Sequence, residues 1–222
     1  MNILVILAGF ISTLMTGFYF YWIGASVLSF LIYVYKLPHF LPKFPMLIGY
    51  PNWISLFRLI IILITFYIHN TVSDIILLII FGSVILMDGL DGTVARRLNQ
   101  TSRAGEYLDM EIDALFVFII SYLHYHEQKL GVWIIIPGSM RYVYGLLFFW
   151  MMEPLITKPG KKIRSSIAVL FFISLLFPFF LNKDIYTPLV IFSSILIIIS
   201  FGISTVNRVI YHISFNRSSD LS

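Results

Sequence analysis

The feature that most constrains this chain is a series of long apolar runs separated by short polar connectors. About 20 apolar residues in a helix cross a bilayer, and backbone polar groups in lipid must be hydrogen-bonded within the protein. Only 12% of the 222 residues are charged, whereas soluble domains carry about 25%. The runs therefore predict an all-α, polytopic membrane protein.

Hydropathy predicts a core domain at residues 46–222, preceded by a hydrophobic segment at residues 1–45. Asn2–Tyr35 is too long for one upright helix and short for two full spans, so one span and a hairpin both stay open. We interpret it as retained structure, because no Lys or Arg precedes its first apolar run, as a signal peptide would require. The six predicted core spans are Trp53–Ile68, Ser73–Arg96, Ala104–His124, Val132–Met152, Ser165–Leu181 and Tyr186–Ile210.

Lys and Arg residues give the six spans an orientation. If successive spans cross the membrane in opposite directions, eleven Lys and Arg residues lie at span ends on one side of the membrane. Only Lys129 and Lys183 lie on the other side. Because cytoplasmic loops are rich in Lys and Arg, the connector after the second span is predicted to be cytoplasmic. The eleven are Lys36, Lys43, Arg96, Arg97, Arg103, Lys158, Lys161, Lys162, Arg164, Arg208 and Arg217.

That connector and its flanks, MDGLDGTVARRLNQTSRAGEYLDMEIDAL, carry four regularly spaced aspartates. Asp88 and Asp91 are three residues apart at the end of one predicted helix, so they share a face. Asp109 and Asp113 are four residues apart near the start of the next helix. Because the connector is short, the two helices should be antiparallel neighbours whose aspartate faces can meet.

Four carboxylates in one partly dehydrated pocket would repel one another, and bound cations would resolve that conflict. The chain has no Cys, and oxygen ligands favour Mg²⁺, Mn²⁺ or Ca²⁺ over zinc. Two divalent cations bridged by carboxylates commonly serve phosphoryl chemistry. The alternative is a solvated loop between two spans, which would have no reason to keep helical spacing on both flanks.

The pattern D-x2-D-G-x2-A-R-x8-G-x3-D-x3-D runs from Asp88 to Asp113 and resembles the signature of the CDP-alcohol phosphotransferases at all eight fixed positions. The resemblance implies a transferase that moves a phosphoalcohol from a CDP-linked donor to an acceptor hydroxyl and releases CMP. It implies that Asp88, Asp91 and Asp109 bind Mg²⁺ or Mn²⁺, with two ions at the site. Asp113 would lie at the same metal centre and act as the general base.

Residues on both sides of the signature are predicted to bind the CDP group. Asn52, Ser55 and Arg58 recur every three residues and form one polar stripe on the first core helix. The family associates this helix with the nucleotide, although Ser55 stands where a Thr is usual. Within the signature, the small residues would let the donor approach the helix backbone, and Arg96 could contact its diphosphate. The signature residues predicted to bind CDP are Asp91, Gly92, Ala95, Arg96 and Gly105.

Three cations, Arg141, Lys162 and Arg164, are predicted to bind the acceptor alcohol. Arg141 interrupts an apolar span, where a charge is costly unless it faces a polar cavity or a partner. Together they would suit a phosphorylated polyol such as glycerol 3-phosphate or inositol phosphate. Serine, free inositol and choline remain alternative acceptors.

The combined prediction is an enzyme of phospholipid synthesis that transfers a phosphatidyl group from CDP-diacylglycerol, with its active site at the cytoplasmic face. Transfer from CDP-choline or CDP-ethanolamine to diacylglycerol is the inverse arrangement, and the signature does not separate the two. A cation transporter is the rival class, but it leaves the Gly, Ala and Arg spacing unexplained; a non-catalytic assembly subunit is a third. The predicted partners are the lipid donor, a small alcohol acceptor and membrane lipids, with no nucleic acid, and the family's habit suggests a homodimer.

Overall fold

The structure is a computed structural model that describes residues 50–97, 103–147 and 161–219, with side chains for 53–89, 109–142 and 163–206. Within these ranges all regular structure is helical and there is no strand. The all-α prediction is confirmed for this part of the chain. Its α-helices are α1 (Tyr50–Ile68), α2 (Asp74–Arg97), α3 (Arg103–His126), α4 (Ile135–Leu147), α5 (Lys161–Ser174) and α6 (Lys183–Ser219).

Short 3₁₀ turns adjoin three of these helices, at His69–Thr71, Val132–Ile134 and Phe177–Phe179. Each α-helix overlaps one of the predicted core spans. Among the described residues, two stretches are long and apolar enough to cross a membrane, Trp53–Thr71 and Lys183–Val206. Six crossings therefore stay a prediction. The predicted N-terminal segment, residues 1–45, lies outside the described residues.

Helix α1 has two chemically different faces. One face consists of large apolar side chains that are more than half exposed, as expected for a surface in contact with lipid tails. The opposite face is buried and contains Ser55, Arg58 and Thr65. The Thr65 hydroxyl donates to the Ile61 carbonyl at 2.7 Å, so this polar group is satisfied inside its own helix. The exposed apolar residues are Trp53, Phe57, Ile60, Ile64 and Tyr67.

The chain divides into two compact units. The first unit comprises residues 1–67 and 83–116, so its described part contains α1, the second half of α2 and the first half of α3. The second unit comprises residues 68–82 and 117–222, and contains the other halves of α2 and α3 together with α4, α5 and α6. All four aspartates of the signature fall in the first unit.

In the second unit, Lys129 joins segments that are distant in sequence. Its ammonium lies 2.6 Å from an Asp74 carboxylate oxygen, 2.7 Å from one of Glu127 and 4.5 Å from the centre of the Phe179 ring. The Tyr186 hydroxyl donates to the Lys129 backbone carbonyl at 2.8 Å. Lys129 therefore connects the starts of α2 and α6 with the turn after α3.

Buried polar contacts also tie α3, α5 and α6 together within the second unit. A ring nitrogen of His124, which is fully buried, lies 2.7 Å from the Leu175 carbonyl. The hydroxyls of Ser174 and Ser193 are 2.6 Å apart. Hydrogen bonds between buried side chains of membrane helices contribute about 0.6 kcal/mol each on average, so these contacts fix the packing register more than they add stability.

Gly138 on α4 lies against Ser121 on α3. A Cβ atom at Gly138 would come within 2.8 Å of the Ser121 hydroxyl oxygen and 2.9 Å of its Cβ. Real Cβ atoms essentially never approach so closely. This contact therefore requires glycine for its lack of a side chain.

We expect Gly138→Ala to destabilise the protein by about 1–3 kcal/mol, the usual cost of overpacking a closely packed contact. The measurement is thermal unfolding in detergent. Ser121→Gly removes both clashing atoms, so Gly138→Ala should cost much less stability in a Ser121→Gly background than in the wild type. An equal cost of Gly138→Ala in both backgrounds would show that Ser121 is not the cause.

Candidate active site

Three helices bring the charged residues of the first unit together. Asp88 lies near the end of α2, Asp109 and Asp113 lie one turn apart in α3, and Arg58 lies in α1. The spacing of four residues places both α3 carboxylates on one helix face. Asp88 on α2 lies close to that face.

The three carboxylates converge on one point. Asp88, Asp109 and Asp113 each offer an oxygen atom, and these oxygens all lie within 4.8 Å of one another. The three side chains are 25–35% exposed, so the cluster is open on one side. The predicted convergence of these three aspartates is therefore present in the structure.

The guanidinium of Arg58 lies among the three carboxylates. Its Nη1 donates to Asp88 at 2.8 Å and to Asp109 at 3.0 Å, and its Nη2 donates to Asp113. Only 1% of the Arg58 side chain is exposed. A charge buried this deeply requires close counter-charges and hydrogen bonds, and the three aspartates supply both.

The charge of this cluster fits a divalent cation. Three carboxylates and one guanidinium leave a net charge of about −2 when each is ionised. All three donor groups are carboxylate oxygens close enough to share an ion, and such donors suit Mg²⁺ or Mn²⁺. The residues present therefore fit the predicted metal.

The structure places the other predicted nucleotide-binding residues on the same helices. Ser55 lies on the buried face of α1, one turn before Arg58. Asn52 lies in the first turn of α1, and its side chain is outside the described part. The other predicted nucleotide-binding residues lie in the backbone of α2 and α3, and the structure does not describe their side chains. They are Asp91, Gly92, Ala95, Arg96 and Gly105.

The predicted acceptor-binding residues belong to the second unit. Arg141 lies in α4 and is half-buried. Arg164 lies in α5 and donates from Nη1 to the Ser204 hydroxyl of α6 at 3.2 Å. The side chain of Lys162 lies outside the described residues. A common site for these cations and the aspartates stays a prediction.

The contact between Arg58 and the aspartates was not predicted from the sequence, which indicated a nucleotide ligand for Arg58. One signal for it exists in the sequence. Arg58 lies inside an apolar span, and a charge at that position requires a polar partner or cavity. The aspartates of the neighbouring helices are the nearest abundant counter-charges.

Comparison with known proteins identifies the chain independently of this geometry. The family model for CDP-alcohol phosphatidyltransferase matches residues 48–206. The chain is 33% identical over 134 residues to CDP-diacylglycerol–glycerol-3-phosphate 3-phosphatidyltransferase of Yersinia pestis (strain Pestoides F), covering 56% of this chain and 68% of that protein. It is 34% identical over 129 residues to the protein of the same name from Escherichia coli (strain K12), covering 54% and 65% of the two chains.

No solved structure matches the chain. The family match covers well over half of the chain and contains every aspartate of the signature. The convergence of Asp88, Asp109 and Asp113 agrees with a site for charged phosphate chemistry. The chain belongs to the CDP-alcohol phosphatidyltransferase family and is a phosphotransferase of the membrane.

Proposed function

We propose that this enzyme transfers the phosphatidyl group of CDP-diacylglycerol to an acceptor alcohol and releases CMP. The observation that carries the proposal is the cluster of Asp88, Asp109 and Asp113, whose oxygens lie within 4.8 Å of one another inside a matching family signature. The names of the relatives support this donor. They favour it over CDP-choline or CDP-ethanolamine.

Asp88, Asp91, Asp109 and Asp113 would hold Mg²⁺ or Mn²⁺, and we propose two ions. When bound, the ions neutralise negative charge on the diphosphate and on the departing phosphate. The aspartates fix the reacting groups relative to one another. Arg58 holds three of these carboxylates together from a buried position, so it orients them before substrate arrives.

Asp113 is the proposed general base. It would accept the proton of the acceptor hydroxyl while the hydroxyl oxygen bonds to the phosphorus next to diacylglycerol. The bond between this phosphorus and the bridging diphosphate oxygen breaks, and CMP leaves with that oxygen. Arg58 donates to Asp113 in the structure, which holds this carboxylate in position beside Asp88 and Asp109.

The nucleotide would bind along α1 and the signature. Asn52, Ser55 and Arg58 recur every three residues along α1 and would offer an amide, a hydroxyl and a cation to the donor. Gly92, Ala95 and Gly105 would let the donor lie close to the helix backbone. Arg96 would pair with the diphosphate, whose geometry suits a guanidinium. We infer from the positive-inside bias that this site faces the cytoplasm.

The proposed acceptor is glycerol 3-phosphate, which the names of both relatives specify. Arg141, Lys162 and Arg164 would bind its phosphate. Arg141 is half-buried within an apolar helix, and the geometry of its guanidinium suits a bidentate phosphate contact. Inositol phosphate is the second candidate, because it presents the same phosphate chemistry.

We expect Arg141→Lys to raise the KM for glycerol 3-phosphate about tenfold and to leave the KM for CDP-diacylglycerol nearly unchanged. A lysine replaces a two-point fork by a single point charge, and a rise in KM at constant kcat indicates lost acceptor binding. The measurement is steady-state kinetics with each substrate varied in turn. A change confined to the donor KM would contradict the acceptor role.

The proposed reaction is tested with purified protein in detergent and labelled CDP-diacylglycerol. We expect CMP and a phosphatidylated product with glycerol 3-phosphate and Mg²⁺ or Mn²⁺, and neither after chelation with EDTA. Serine, choline, inositol and inositol phosphate are screened in parallel, with the product identified by mass. Metal-dependent cation flux into vesicles without CMP release would favour the transporter instead.

A further inference from the structure

The Arg58 guanidinium lies among the carboxylates that would hold a metal ion. Its Nη1 lies 2.8 Å from an Asp88 oxygen and 3.0 Å from an Asp109 oxygen. A Mg²⁺ ion requires oxygen ligands at about 2.0–2.1 Å. An ion held beside these same two oxygens would lie close to this nitrogen, and the positive charges of the ion and the guanidinium would repel one another there.

The net charge of the aspartate cluster also opposes the binding of a second divalent cation while Arg58 is in place. The three aspartates of this cluster carry three negative charges when ionised, and Arg58 reduces the net charge to about −2. With Arg58 in place, one divalent cation brings the net charge to about 0, whereas two would leave about +2. Excess positive charge in a partly buried site is unfavourable. Arg58 therefore permits one ion and opposes the second.

We propose that Arg58 takes the place of one divalent cation in the nucleotide-free enzyme and moves to the donor's diphosphate when the second cation binds. This inference rests on the proposed two-ion phosphotransfer site. The donor brings new negative charges, and these give the buried guanidinium a second set of partners. Arg58 thereby couples completion of the metal centre to arrival of the donor.

Such an exchange has a consequence for the reaction. A site with both ions bound before the donor arrives could activate water or bind free phosphates. With Arg58 among the carboxylates, the second ion binds strongly only together with the diphosphate. Arg58 is in this sense a positioning residue, and its role is visible in metal binding independently of turnover.

The first test counts Mn²⁺ bound per chain by equilibrium dialysis of detergent-purified protein without nucleotide. We expect about one strongly bound ion in the wild type and about two in Arg58→Gln, with Arg97→Gln as a control that loses the same charge and keeps one ion. Two ions in the wild type, or one in Arg58→Gln, would overturn the inference. No bound ion in either protein would overturn the proposed metal site as well.

The second test uses the wild type alone, so it stands even if Arg58→Gln does not fold. Electron paramagnetic resonance distinguishes an isolated Mn²⁺ ion from a spin-coupled pair that shares bridging ligands. We expect an isolated signal with Mn²⁺ alone and a coupled pair after CDP is added. A coupled pair before CDP, or none afterwards, would contradict the exchange.

Discussion

Asp113→Asn is expected to reduce kcat by about 10²–10⁴-fold while CDP-diacylglycerol still binds in the presence of Mn²⁺. The amide has the same shape as the carboxylate but cannot accept the acceptor's proton, and a positioned general base contributes about this factor. Asp88 and Asp109 remain to bind metal, and Arg58 contacts both before the donor binds. The measurement combines the rate of CMP release with donor binding by calorimetry.

Glu111→Gln provides a matched control for this variant. Glu111 lies on α3 two residues before Asp113, so it points about 200° away around the helix and loses the same charge. We expect it to retain nearly full activity. Unchanged turnover in Asp113→Asn would rule out the general-base role, and loss of donor binding would identify Asp113 as chiefly a metal ligand.

The second large effect is on stability. Arg58→Ala should lower the free energy of unfolding by about 3–5 kcal/mol in the absence of metal, the usual result of removing one partner of a buried ion pair. It leaves three carboxylates within 4.8 Å of one another without their buried counter-charge. Thermal unfolding in detergent with EDTA present measures the loss.

Added Mg²⁺ should restore part of this stability, because a ligand that binds only the folded protein stabilises it by mass action. Lys129→Met is the comparison. It breaks the pairs with Asp74 and Glu127, in which the Lys129 side chain is 16% exposed, against 1% for Arg58, so we expect a smaller loss than from the fully buried cation. An Arg58→Ala protein as stable as Lys129→Met would mean that the buried cluster is not stabilising.

Local spacing explains which features could be predicted from the sequence. Helix positions follow from runs of apolar residues, because a backbone in lipid must satisfy its hydrogen bonds within the helix. The common face of Asp109 and Asp113 follows from a spacing of four residues. The family follows from eight fixed positions between Asp88 and Asp113, a signal that depends on order along the chain and on no tertiary contact.

The tertiary structure alone determined the partners of Arg58. These partners, Asp88, Asp109 and Asp113, are 30, 51 and 55 residues away along the chain. Helical periodicity identifies the buried face of α1, but it does not say which residues of α2 and α3 pack against it. The sequence determined that Arg58 lies inside an apolar helix and must have partners of opposite charge. The packing of three helices determined which residues these partners are. A buried charge needs groups within hydrogen-bond distance, and only folding brings residues so far apart in sequence that close together.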